Sequence, residues 1–301
     1  MARGAPWPLR RKIGTAFVAL ALVGAGLIGA DALRSTHSAG FYLVIGASAA
    51  RGFEPTGSMG PRGPNESATS RGYANDVQAL LAKEGRSLAL YNIACPGETI
   101  QTFVAGGDAC SPATSQLEHA EQVLRSHATE NGVVTIDVGF NNIRPCLQFA
   151  SVDERCVARS VELIKRKLPS ALASLQKAAG PGVVLVGVPY GDPFLGHYLD
   201  PSRGPTNATQ TLAAMDQLDA ALDAAFRLEH VVVAPVAADL KVGDRQMTGR
   251  EGSRSVPQDV AETCATTWMC RDAPWGPNDH PNNKGYSLIA KAIVSALPPS
   301  L

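Results

Sequence analysis

The 301-residue chain has no stripe of basic side chains, no Cys-x-x-Cys pair, no internal repeat and no Gly-x-Ser-x-Gly turn. Each absence closes off a class of function. Its 27 basic and 27 acidic residues balance, and charged residues are only 18% of the total. Four bases and one acid stand in the first 32 residues, so the remaining body is mildly acidic and lacks the electrostatic footprint of a nucleic-acid binder. Six cysteines are present, but no histidine stands at ligand spacing beside them, which argues against a metal site. With 45% hydrophobic residues and no biased tract, nothing in the composition marks disorder, and the length suits one sizeable core.

What is there begins with the N-terminus. Arg10-Arg11-Lys12 precede an uncharged apolar run from Ile13 to Ala30, and Ala30-Asp31-Ala32 offers a small-x-small cleavage site. Residues 1–32 therefore read as an export segment, either a cleaved signal peptide or a retained anchor. A run of 18 residues is short for a bilayer span and long for a signal core, so both stay open. Export makes the body, residues 33–301, secreted or part of the cell envelope. A retained segment would hold it to a membrane through residues 13–30. An oxidising compartment suits the cysteines, which fall as three sequence neighbours, Cys95/Cys110, Cys146/Cys156 and Cys264/Cys270. Pairing of nearest neighbours is the simplest of the about 15 connectivities that six cysteines allow.

Apolar runs and helical stretches alternate from residue 40 onward. Strands are expected over 41–45, 88–94, 132–138, 183–188 and 231–236. Helices are expected over 72–84, 114–127, 155–178 with a kink at Pro169, 207–228, and from near Asn282 to before Pro298. Five strands separated by helices predict a three-layer α/β/α sandwich around a central parallel five-stranded sheet. Loops after the strands, among them 49–71 and 237–281, then gather at the carboxyl edge, where open α/β sheets bind ligands.

Four segments, three at strand ends and one opening the last helix, carry reactive groups; alone, the first two read as ordinary turns and the third equally well as a turn-forming Asn pair. Ser48 lies two residues past the first strand, where Gly46 permits a tight turn that lifts the hydroxyl clear of the sheet. Asn92-Ile-Ala-Cys-Pro-Gly97 places a glycine N–H at the next strand end, and Asn141 in Gly139-Phe-Asn-Asn142 places a side-chain amide at the third; both are the donor type an oxyanion needs. His280, followed by Pro281 at the start of the last helix, is suited to take a hydroxyl proton near neutral pH. His197, in another cleft-side loop, is its one rival.

In that order and spacing the segments resemble the SGNH (GDSL-like) hydrolase family, over about residues 41–296. The resemblance implies a flavodoxin-like three-layer fold and esterase or lipase chemistry with no metal or organic cofactor. It also implies Ser48 as nucleophile, His280 as general base, and an oxyanion hole of the Ser48 and Gly97 N–H groups with the Asn141 side chain. Three acids usual in the family are absent: Ala47, Asn142 and Pro277 stand in their places. Asp279 adjoins His280, but neighbouring side chains of an extended segment point to opposite sides. A dyad is therefore expected, its imidazole oriented by a backbone carbonyl near Trp275-Gly276-Pro277. The cysteines would then pin the loops that carry the oxyanion hole and the base.

The expected reaction is hydrolysis of a small-molecule or lipid carboxylic ester through an acyl-enzyme on Ser48. The 188–198 loop, rich in aromatics, is expected to line the pocket. Two other readings fit the same residues: an acyltransferase passing the acyl group to a sugar or lipid, and a catalytically silent envelope-binding domain. Acyl chain length, alcohol and oligomeric state are not written in the sequence.

Overall fold

The computed structural model describes residues 40–107, 110, 113–148, 151–202 and 204–299. The export segment expected at 1–32 lies outside these residues. Among the described residues no helix is long and apolar enough to cross a membrane.

In chain order the strands are β1 (Gly40–Gly46), β2 (Phe53–Gly60), β3 (Gly63–Ala68), β4 (Leu88–Asn92), β5 (Gly132–Asp137), β6 (Leu147–Gln148), β7 (Ser151–Val152), β8 (Val183–Gly187), β9 (Val232–Val233), β10 (Gly249–Glu251) and β11 (Arg254–Val256). The helices are α1 (Tyr73–Lys83), α2 (Ile100–Ala105), α3 (Gln116–Ser126), α4 (Phe140–Ile143), α5 (Glu154–Ala178), α6 (Gly204–Leu228), α7 (Val236–Asp239), α8 (Gln258–Thr266) and α9 (Asn283–Ala296). The central sheet runs β4-β1-β5-β8-β9, every pair parallel. The three-layer sandwich read from the alternating pattern is the fold observed.

The sheet is apolar on both faces because both are covered. Phe41, Leu43 and Ile45 of β1 pack with Val134 and Ile136 of β5 under α3, α5 and α6, while Tyr42 and Val44 face α1 and α9. At about 25 cal/mol per Å² of apolar area removed from water, this double burial is the main force that holds the layers together. Helix α5 continues on both sides of Pro169, and its stripe of Val157, Val161, Ile164, Leu168, Leu172 and Leu175 is buried before and after the proline. The fifth strand is shorter than the expected 231–236, because Pro235 has no N–H to donate and Val236 already begins α7. Three disulfides join Cys95 to Cys110, Cys146 to Cys156 and Cys264 to Cys270.

The main departure is at 49–71, expected as a plain loop. It holds the antiparallel hairpin β2–β3, which pairs Phe53 with Ala68 and Pro55 with Glu66, then shifts register before Met59 pairs with Pro64. Pro55, Gly57, Pro64 and a run of polar residues hide the alternation that would mark two strands. The Tyr286 hydroxyl of α9 donates to the Phe53 carbonyl at 2.7 Å and fixes the hairpin's base to the body.

Candidate active site

The turn after β1 is built by close backbone approach. A side chain at Gly46 would lie 2.9 Å from the Asp137 carbonyl oxygen across the β1–β5 pair, so only glycine fits. Ser48 follows and begins a single 3₁₀ turn, its carbonyl accepting from the Arg51 and Phe53 N–H groups at 3.1 Å each. Its side chain is left half-buried at the carboxyl edge.

His280 lies 232 residues further on, yet its Nε2 is 2.8 Å from Ser48 Oγ. The segment that carries it is held by its backbone: the Trp268 N–H donates to the His280 carbonyl at 3.1 Å, and the Asn282 N–H to that of Thr266 at 2.9 Å. Helix α9 begins at Asn283, next to the start expected near Asn282. Asn282 is its N-cap, its Oδ1 accepting from the Lys284 and Gly285 N–H groups, so Pro281 is a rigid spacer between base and cap rather than the first helical residue.

At His280 Nδ1 stands a group that no sequence motif marked. Glu66 Oε1, from β3 of the hairpin, is 3.0 Å away, and Asn278 Oδ1 is 3.1 Å away. Asn278 also donates through Nδ2 to the same Glu66 oxygen and accepts from the His280 N–H at 2.9 Å, so it holds carboxylate and imidazole together. The backbone carbonyl expected near 275–277 does not fill this place. Nor does Asp279: its nearest oxygen is 3.9 Å from Nδ1, and both its oxygens are bound by the Arg144 guanidinium. Burial pushes the Glu66 carboxyl up, but the hydrogen bond and charge of His280, with the Asn278 amide, outweigh it and hold its pKa below the ordinary carboxylate value. Burial also pushes Asp279 up, and Arg144 overcomes it.

Gly97 and Asn141, the expected oxyanion donors, line the same cavity as the imidazole. Gly97 has φ +82°, which favours glycine, and space beyond its Cα is open. Asn141 Nδ2 donates to the neighbouring Glu98 carbonyl at 3.1 Å, which keeps the amide beside Gly97. Buried Gln116 locks the two turns to each other, bonding the Gly46 N–H at 2.7 Å, the Gly46 carbonyl at 3.1 Å and the Glu98 carboxylate at 2.8 Å. Asn142, where the family usually has an acid, accepts from the Ile100 N–H at 2.9 Å and so anchors the start of α2. His197 is turned away from this chemistry: it is buried, with Nδ1 2.7 Å from Asn207 Oδ1.

Ser48, Gly97, Asn141 and His280 all line one cavity of about 210 Å³. Only the first half of the 188–198 loop, Val188 to Pro193, lines it; Phe194 packs into the core instead. Two buried acids, Asp137 and Asp192, lie in its wall, and half-buried Asp219 stands behind it, accepting from the Tyr190 N–H. Burial raises Asp137 to about 6 and Asp192 and Asp219 to about 7. Unfolded, such carboxyls titrate near about 4, so the folded chain binds more protons in between and loses stability as pH rises through about 6–7. Glu66 and Asp279 have the opposite sense, and their contribution is lost only as pH falls below about 4. Thermal unfolding should therefore lie ~5 °C higher near pH 5.5 than near pH 8, and Asp192→Asn should flatten the difference in a calorimetric pH series.

The sequence profile of the GDSL-like Lipase/Acylhydrolase family matches residues 44–288. The chain belongs to this family of ester hydrolases. Two solved structures resemble this GDSL-like chain in fold. One is phospholipase A1 from Streptomyces albidoflavus, at 18% identity and TM-score 0.54, covering 86% of this chain and 100% of that one. The other is an extracellular lipase from Streptomyces rimosus, at 17% identity and TM-score 0.53, again over 86% and 100%. No curated protein matches the chain.

Proposed function

We propose that this GDSL-like hydrolase is an exported serine esterase whose nucleophile is Ser48, with His280 as its general base and Glu66 holding the imidazole. The 2.8 Å contact between Ser48 Oγ and His280 Nε2 carries the reading. His280 takes the hydroxyl proton at Nε2 as Ser48 Oγ attacks the ester carbonyl. The Nδ1–H donated to Glu66 fixes the tautomer that leaves Nε2 free to accept, and the carboxylate stabilises the imidazolium that forms. Negative charge grows on the carbonyl oxygen, within reach of the Ser48 and Gly97 N–H groups and the Asn141 amide. Collapse expels the alcohol, which His280 protonates through the same Nε2. Water then repeats the sequence on the acyl-enzyme and releases the acid.

Export is supported by the basic-then-apolar order of residues 10–30 and by the three disulfides, which suit an oxidising compartment. The purified 33–301 body should hydrolyse a ladder of nitrophenyl esters, with a competing glycerol or sugar acceptor present in parallel. Free acid as the dominant product supports the hydrolase. Acyl transfer to the acceptor would make the chain a transferase on the same serine, and no turnover of any ester would leave the binding-domain reading.

A further inference from the structure

Strand β5 ends on an acid for which the ester chemistry has no use. Side chains of this strand alternate between the two cores: Val134 and Ile136 face α5 and α6, Val133 faces α1 and α9. A strand covered on both faces is normally apolar throughout, yet Thr135 and Asp137 share the α1–α9 face with Val133. Thr135 is accounted for by the Tyr42 hydroxyl at 3.1 Å. Asp137 is not. It is 2% exposed, and the Tyr190 and Tyr73 hydroxyls stand close enough to its carboxylate to offset part of the burial that raises its pKa.

Neither phenol hydroxyl, nor Asp137 Oδ1, makes a hydrogen bond of ordinary geometry among the described residues. Buried polar atoms left so are rare and costly. All three side chains line the cavity that holds Ser48, and the register pairs Asp137 with Gly46, two residues before the nucleophile. The neighbouring wall is apolar, formed by Val188, Val236, Leu240 and Ile289. These atoms are already closed off from water, and a plain hydrocarbon chain lying there would give them no partner. An ammonium would serve the carboxylate alone. A hydroxyl serves both kinds of partner, donating to Asp137 and accepting from a phenol.

We propose that Asp137, Tyr73 and Tyr190 form a hydroxyl-binding subsite of the ester pocket, so that the enzyme selects esters with a hydroxyl on the buried chain. The hydroxyl can belong to the acyl group or to a polyol alcohol. The proposal rests on the reading of Ser48 as nucleophile, and its test separates the two.

In the acyl arm, nitrophenyl butyrate and hexanoate are compared with their 3-hydroxy and 6-hydroxy forms. In the alcohol arm, propyl butyrate is compared with glycerol monobutyrate. The hydroxylated substrate should win by about 10–100-fold in kcat/KM in at least one arm, the range expected for a hydrogen bond to a charged group. Asp137→Leu should bring that ratio close to one, and Tyr73→Phe, which keeps the ring, should lower it if the leucine variant does not fold. Binding of the same pairs, as uncleaved methyl esters and as the glycerol and propyl esters, to the Ser48→Ala chain by ligand-observed NMR reads the preference without turnover. If wild type cleaves nothing but Ser48→Ala still prefers the hydroxylated partners, the nucleophile reading fails and the subsite stands. Equal use and equal binding of both members in both arms, or a preference that Tyr73→Phe leaves intact, overturns the subsite.

Discussion

Ser48→Ala and His280→Ala should each lower kcat for ester hydrolysis by a factor of about 10⁴–10⁶, and the double variant should be no slower than the slower single one. The reason is geometric. With Oγ and Nε2 2.8 Å apart, the hydroxyl is a weak nucleophile without the imidazole, and the imidazole has no proton to take without the hydroxyl. Residual turnover above the uncatalysed rate should survive in all three, because the Gly97 and Asn141 donors remain. Steady-state kinetics on one nitrophenyl ester, with thermal unfolding as a check on folding, is sufficient. Losses that multiply across the double variant would mean that the two groups act independently.

The second large effect concerns the acid. Glu66→Gln should reduce kcat by about 10²–10⁴ with a much smaller change in KM, since a neutral amide neither enforces the tautomer nor stabilises the imidazolium. Asp279→Ala should cost at least ~10-fold less than Glu66→Ala, because the Asp279 carboxylate is taken up by Arg144. The reverse order of losses would return the role to Asp279.

The layers of this fold were legible because the signal is redundant. Each of the main strands announces itself as a buried apolar run, and α5 and α9 carry stripes at helical spacing. Ser48, Gly97, Asn141 and His280 were legible for a related reason: each follows a strand or opens a helix, so topology alone sends it to the carboxyl edge. Glu66 had no such marker. It sits 214 residues from His280 in sequence, on a hairpin whose prolines and glycines disguise it, and its place is set by tertiary contacts of Asn278 and Tyr286. The signal that could have found it is indirect. Pro277 leaves His280 without the usual acid, and Glu66 lies in the first long loop after Ser48, bracketed by the Gly-Pro-Arg-Gly turn of a hairpin. Asp137 was missed for another reason: it reads as the end of an apolar strand, and only the three-dimensional neighbours Tyr73 and Tyr190 give it meaning.

Treatment of the folded chain with a fluorophosphonate, followed by peptide mapping, bears most directly on the central claim. One adduct on Ser48 is expected, absent after prior denaturation and formed far more slowly in His280→Ala. A folded chain that takes no label, or takes it on a different serine, contradicts the account.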